Sequence, residues 1–187
     1  MPPQSQASAE MSKPQANSNW TLKLEVLTPG SPPDALTSAR ELLLEYGRFV
    51  AAQPTVASFC YEALEQEAAG LPLSYLNQSG GAILAIFNGH PVGFVAWRSL
   101  PNPALADAWE LKRLWIRPQA RGSGTGRALV QAVIDRARDA GKSLLLLDTE
   151  PSAMAAAHRL YLQMGFVERE PYNGRSPDGI IYLQKVL

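Results

Sequence analysis

The stretch Arg121-Gly122-Ser123-Gly124-Thr125-Gly126 most constrains this chain, because it stands between an aromatic and β-branched run and a long amphipathic helical pattern. Before it, Leu111-Lys112-Arg113-Leu114-Trp115-Ile116 reads as a strand that Pro118 ends; after it, Arg127 to Ile134 carry apolar side chains at helical spacing. The glycines therefore form a strand-to-helix turn. Gly122, Gly124 and Gly126 let the main chain approach an anion without Cβ interference, and the free N–H groups and dipole of the new helix converge on it. A P-loop is excluded, since Gly126 is followed by Arg127-Ala128 rather than Lys and Ser or Thr. The dinucleotide pattern G-x-G-x-x-G fails too, because it would place Arg127 or Leu129 at its third glycine. What remains is R-x-x-G-x-G, carried by Arg121, Gly124 and Gly126.

Charge sharpens this reading. Lys+Arg 17 balance Asp+Glu 17, so no global field points to nucleic acid or to a membrane surface. Locally, no acidic residue falls between Glu110 and Asp135, whereas Lys112, Arg113, Arg117, Arg121 and Arg127 all do. Basic residues gathered around a helix N-terminus in a neutral chain are suited to a polyanion.

With 187 residues, 46% of them hydrophobic, the chain can bury one sizeable core and is expected to form one domain. No apolar run approaches the ~20 residues of a membrane span. Met1 to Asn19, rich in Pro, Gln, Ser, Ala and Asn, is expected to be a disordered tail without the apolar core of a signal peptide, leaving 20–187 as the folded domain. The single cysteine, Cys60, excludes an internal disulfide and points to a reducing cytoplasm. It lies in the helical pattern Thr55 to Ala69 and reads as a small core residue.

The elements alternate without internal repeat. Trp20 to Leu27 reads as a strand, Ala35 to Ala52 as a helix behind a Ser-Pro-Pro-Asp turn, and a second helix runs to about Ala69. Gly81–Phe87 and Val92–Trp97 read as strands of a hairpin turned at Asn88-Gly89. After the glycine loop and its helix, Ser143 to Thr149 reads as a central strand, a helix opens at Pro151 or Ser152 and stops at Gly165, and Phe166–Glu170 and Ile180–Val186 complete the set. This order predicts an α/β (α+β) fold with a mixed, mostly antiparallel six- to seven-stranded sheet flanked by helices on both faces.

Glu110 to Pro118, the glycine loop, Leu147-Asp148-Thr149, and Leu160-Tyr161-x-x-x-Gly165-Phe166 occur in the order and at the spacing of the GCN5-related N-acetyltransferase (GNAT) superfamily, which the chain resembles from about Trp20 to Val186. Met154 after the L-D-T run and the Pro171-Tyr172 loop are similar to a bacterial branch of unassigned substrate. The resemblance implies the GNAT acyl-CoA N-acyltransferase fold, acetyl-CoA (coenzyme A) as acyl donor, a primary amine acceptor and no metal. It implies that main-chain groups of Leu114, Trp115 and Ile116 hold the pantetheine arm as an added strand, one N–H there polarising the thioester carbonyl. It further implies that the amides of Gly122, Ser123, Gly124, Thr125, Gly126 and Arg127, with Arg121, hold the pyrophosphate, and that Tyr161 protonates the departing thiolate.

The resemblance further implies Glu110 as the base, acting through water, since an alkylammonium, with a pKa of about 10.4, must lose a proton before it attacks. Glu110 stands six residues before Ile116, on the same side of a strictly alternating strand. Met154 occupies the position where many relatives place a coenzyme-contacting asparagine, which leaves Thr149 as a substitute contact. His158, three residues before Tyr161, is on the same helical turn. The expectation is therefore a cytoplasmic N-acetyltransferase acting on a small-molecule amine by direct attack in a ternary complex, compatible with a homodimer, with no nucleic-acid or membrane partner. A protein lysine or N-terminus as acceptor, and a non-catalytic acyl-CoA-binding module, are the alternatives.

Overall fold

The computed structural model describes residues 20–53, 64–174 and 178–187. The expected tail before Trp20, Cys60 and Arg175 lie outside them. In chain order the elements are β1 (Leu22–Val26), α1 (Pro33–Ala51), α2 (described over 64–69), α3 (Leu73–Leu76), β2 (Gly81–Phe87), β3 (His90–Ser99), β4 (Ala108–Ile116), α4 (Thr125–Asp139), β5 (Leu144–Thr149), α5 (Ala155–Gln163), β6 (Val167–Arg169) and β7 (Ile181–Val186). Local chemistry sets several boundaries. Pro33 opens α1 with Asp34 in its first turn, and Gly141, at φ 70°, ends the chain reversal after α4. Asn88 and Gly89 both take positive φ, 49° and 80°, which is the backbone of the tight hairpin turn expected of that dipeptide.

Seven strands form one sheet in the order β1-β2-β3-β4-β5-β7-β6, and every described pairing is antiparallel except β4 with β5. Apolar side chains of α4, of α5 and of its C-cap, among them Leu129, Val133, Tyr161 and Met164, pack on one face with Trp97, Trp109 and Leu111. Leu42 and Leu43 of α1, Leu64 and Tyr75 pack on the other with Leu84, Phe94 and Trp115. No helix among the described residues is long and apolar enough to cross a membrane.

Two irregularities decide where a ligand can enter. The first is that β4 and β5 pair over three positions only, Ala108 with Leu144, Trp109 with Leu145 and Glu110 with Leu146. Beyond Glu110 and Leu146 the strands part, so the β5-facing main-chain edge of β4 is open through Ile116. The second is a bulge: Ala96 faces Lys112 but Phe94 faces Trp115, so Arg113 and Leu114 together oppose Val95. Arg113 carries the distortion at φ 60°, a left-handed conformation that costs a side-chain-bearing residue roughly 1–2 kcal/mol. Its guanidinium is held in compensation by a two-pronged pair with Glu67, at 2.8 and 3.0 Å, and lies 5.9 Å from the Tyr46 ring centroid.

The bulge corrects the expectation drawn from strict alternation. The added residue flips the phase, so Glu110 belongs to the α1 face with Ala108 while Leu114 and Ile116 pack toward α4. The start of α5 also differs: it begins at Ala155, not at Pro151 or Ser152. The buried Glu150 carboxylate accepts from the main-chain N–H groups of Ser152 and Ala153 and from the Ser152 hydroxyl, which holds residues 151–154 in a turn ahead of the helix.

Candidate active site

The strand-to-helix turn is built from Gly122 and Gly124, at φ 80° and 85°, with Gly124 as the N-cap of α4. Ser123 donates its hydroxyl to the carbonyl of Ala120 at 2.7 Å and lies 2.8 Å from the Thr125 hydroxyl, so the two hydroxyls brace the loop. Among the described residues, the main-chain N–H groups of Gly122, Ser123, Gly124, Gly126 and Arg127 have no protein acceptor. A Cβ on Gly126 would lie 3.3 Å from Leu160 and 3.7 Å from Ile116, so glycine keeps the first turn open to an approaching group.

The acid-free window looks different in three dimensions. Arg117 pairs with Glu45 at 2.7 Å, Arg113 with Glu67, and Lys112 with Asp148 at 3.2 Å and Glu110 at 3.5 Å. Carboxylates distant in sequence thus neutralise three of its five cations. Arg121 and Arg127, both exposed, have no carboxylate partner among the described residues. Arg121 donates to the Ile116 carbonyl at 3.2 Å and lies over the Trp115 ring at 5.2 Å, while Arg127 reaches Gln163 at 3.4 Å.

A cavity of about 340 Å³ brings these parts together. Leu114, Trp115, Ile116, Arg121, Gly122, Gly124, Gly126 and Arg127 line it. So do Phe49 of α1 and Met154, Ala157 and Leu160 at α5, which the sequence reading did not single out as wall residues. Elements from opposite faces of the sheet meet here because the strands have parted. Ser123 and Thr125 stand behind the wall. Thr149 ends β5, buried and paired in register with Ile181, and does not line this cavity. Met154 itself stands in the wall.

Tyr161 is buried in α5, tilted against Phe166 at 5.6 Å between ring centroids, and its hydroxyl has no hydrogen-bond partner among the described residues. Burial first, then the fields of Tyr46 and Asp148, push this phenol well above its ordinary range, so it stays protonated. Tyr46 belongs to α1 and Asp148 to β5, so groups from two separate elements act on one hydroxyl. His158, one turn earlier, keeps its Nε2 buried and without a partner among the described residues.

Glu110 is the most enclosed carboxylate of the site, its side chain 1% exposed. Arg98 Nε donates to one oxygen at 2.6 Å, and the Tyr172 hydroxyl to the other at 2.8 Å, with Lys112 at 3.5 Å. Both oxygens are occupied. The carboxylate is therefore part of a structural knot linking β3, β4 and the loop after β6. Tyr172, in turn, is pushed up strongly by burial and by the charges of Glu110 and Asp148.

Glu67 holds the bulge from α2. Burial alone would raise its pKa, but the hydrogen bonds and charge of Arg113, the Tyr75 hydroxyl at 2.7 Å and the charge of Lys112 outweigh that and hold it below 4.5. Because the folded value is depressed, the stabilisation is fully present above about pH 4.5 and is lost as pH falls through the folded value. The melting temperature of the parent chain should therefore exceed that of Glu67→Gln by a constant margin at neutral pH, and the margin should shrink below about pH 4.5. A margin independent of pH would refute this account of the bulge.

A mixed sheet that splays at its one parallel pair, with a glycine turn and helix N-terminus at the opening, is the fold of the acyl-CoA N-acyltransferases. The chain matches the model of the Acetyltransferase (GNAT) family over residues 39–166, and it belongs to that family. Among solved structures, an acetyltransferase of the GNAT family from Staphylococcus aureus superposes with a TM-score of 0.68 at 19% identity, covering 89% of this chain and 99% of that one. The Salmonella typhimurium protein yncA, solved with its cofactor acetyl-CoA, superposes with a TM-score of 0.62 at 18% identity, covering 88% and 93%. In sequence, N-acetyltransferase 8F1 of Rattus norvegicus is 35% identical over 120 residues, 64% of this chain and 53% of that protein. IAA acetyltransferase of Azospirillum brasilense is 39% identical over 79 residues, 42% of this chain and 51% of that protein. The chain spans about half the length of the curated relatives it matches.

Proposed function

We propose that residues 20–187 form an acetyl-CoA-dependent N-acetyltransferase that moves an acetyl group to the primary amine of a small molecule by direct attack in a ternary complex. The observation that carries this reading is the convergence, on one cavity, of an N-terminal helix turn with free N–H groups, two arginines without carboxylate partners and the open edge of β4. Loop amides from Gly122 to Arg127 receive the pyrophosphate, and Arg121 and Arg127 complete its charge balance. The edge of Leu114, Trp115 and Ile116 takes the pantetheine arm as a β5-side strand, and one of its N–H groups stabilises the oxygen that becomes negative during attack. Tyr161 gives its proton to the departing sulfur, a role suited to a phenol that burial keeps protonated.

Calorimetric titration with acetyl-CoA, followed by thiol release across a panel of primary amines, tests the proposal. Arg121→Ala and Arg127→Ala should each weaken acetyl-CoA binding about tenfold, the modest loss expected of charge-assisted contacts at exposed side chains. The same variants should flatten the dependence of affinity on salt. Unaltered affinity in the double variant would move the pyrophosphate away from this loop and end the assignment.

A further inference from the structure

We propose that Asp148, rather than Glu110, is the carboxylate that takes the proton of the incoming amine; the inference rests on the transfer reaction proposed above. An ammonium cannot attack a thioester until a base near the reacting carbon has removed a proton. Besides Glu41, which lies at the surface 61% exposed and 3.7 Å from Arg117, four carboxylates on the α1 side of the opened sheet pair with Lys112, Arg113 or Arg117. Glu45 is held through both oxygens by Arg117 and receives the Trp115 N–H, and Glu67 is held by Arg113 and Tyr75. Glu110 is enclosed by Arg98, Tyr172 and Lys112.

Asp148 differs from all three. Its side chain is 31% exposed, its one printed contact is Oδ1 to Lys112 Nζ at 3.2 Å, and Oδ2 has no hydrogen-bond partner among the described residues. Its place in the fold follows from the register. Asp148 pairs with Tyr182 of β7 on one side, while on the other β4 has already parted from β5 two residues earlier. The Lys112–Asp148 ion pair is thus a side-chain clasp across the gap where main-chain pairing has ended.

The charged and titratable groups around that carboxylate are Lys112 and Glu110 from β4, Tyr182 from β7, Tyr172 from the loop after β6 and Tyr161 from α5. Its field is felt at the hydroxyls of both Tyr161 and Tyr172. The carboxylate with an open oxygen is therefore close enough to act electrostatically on the phenol assigned to the leaving thiolate. Lys112 already shows that an ammonium is accommodated beside that carboxylate.

The protons balance as follows. Asp148 takes one proton from the ammonium, and the freed nitrogen pair forms the C–N bond at the thioester carbon. The C–S bond breaks with its electron pair on sulfur, Tyr161 protonates the sulfur, and Tyr161 recovers a proton from the newly acylated nitrogen. Asp148 then releases its proton to water at its exposed edge. Acetyl-CoA and an ammonium thereby give an amide, a free thiol and one proton.

The test compares the full chain with Asp148→Asn and Asp148→Ala, using the amine from the panel with the highest turnover, at saturating acetyl-CoA. Asp148→Asn should lower kcat about 100-fold, with acetyl-CoA affinity unchanged. Added formate, a small carboxylate that fits the space left by Asp148→Ala, should restore kcat in proportion to its concentration. A loss confined to the KM of the amine would make Asp148 an anchor and overturn the proposal, as would a kcat loss that formate does not relieve. Asp148→Asn turning over like the parent would overturn it while leaving the acetyltransferase reading intact. A parent chain that binds acetyl-CoA yet acetylates no amine would overturn both.

Discussion

Tyr161→Phe is expected to lower kcat by about 10²- to 10³-fold while leaving acetyl-CoA affinity as it is in the parent chain. The ring makes its apolar contacts in the core, tilted on Phe166, and phenylalanine preserves them. The hydroxyl has no hydrogen-bond partner among the described residues, so removing it leaves no orphaned donor or acceptor in the protein. Stability should change little. The loss should therefore appear only in turnover, and should be largest for donors whose leaving thiolate most needs a proton. Steady-state kinetics with calorimetry of coenzyme binding separates the two quantities. If kcat is retained, the sulfur is protonated by another group or by water, and Tyr161 is a packing residue.

The second large effect concerns stability. Glu110→Ala is expected to destabilise the fold by about 3–5 kcal/mol, because it removes the acceptor that Arg98, Tyr172 and Lys112 share inside the sheet. Lys112 retains Asp148 and the one-third-exposed Arg98 retains Gln78, but the Tyr172 hydroxyl loses its partner in a buried position and Arg98 loses its carboxylate. Tyr172→Phe removes only one of the three donors and should cost about 1 kcal/mol. Urea unfolding of the two variants side by side measures the difference. Equal, small losses would mean that the knot does not hold β3, β4 and the β6–β7 loop together, and Glu110 would again be available for chemistry.

The relation between these predictions explains what could be read early. The glycine turn, the helix after it and the hairpin at Asn88-Gly89 are local: their signals are φ preferences and apolar spacing within a few residues, and the structure forms them where the sequence places them. The central strand Leu144–Thr149 was equally legible, because a run buried on both faces has no polar alternation to confuse. Arg113 shows the limit. Nothing in a Lys-Arg-Leu-Trp stretch announces a bulge, since the left-handed φ is held by Glu67, 46 residues away in sequence. That one added residue put Glu110 and Ile116 on opposite faces.

Charge obeys the same limit. The window from Lys112 to Arg127 contains no acid, but ion pairs ignore sequence distance and three of the five cations are neutralised by Glu45, Glu67, Glu110 and Asp148. Only packing distinguishes Arg121 and Arg127 from the rest. The same holds among carboxylates: Glu110 and Asp148 both end up beside Lys112, and their difference in exposure and in engaged oxygens is invisible in one dimension.

The sequence by itself determined the order of elements, the anion-suited turn at Arg121 to Gly126 and the family, because each rests on local backbone preference or on spacing along the chain. Tertiary structure alone decided where β4 and β5 part, which side each β4 side chain faces after Arg113, and which charges remain open at the gap. Those outcomes depend on contacts between segments far apart in the chain, whose energies exist only once the sheet and its two layers of helices have closed.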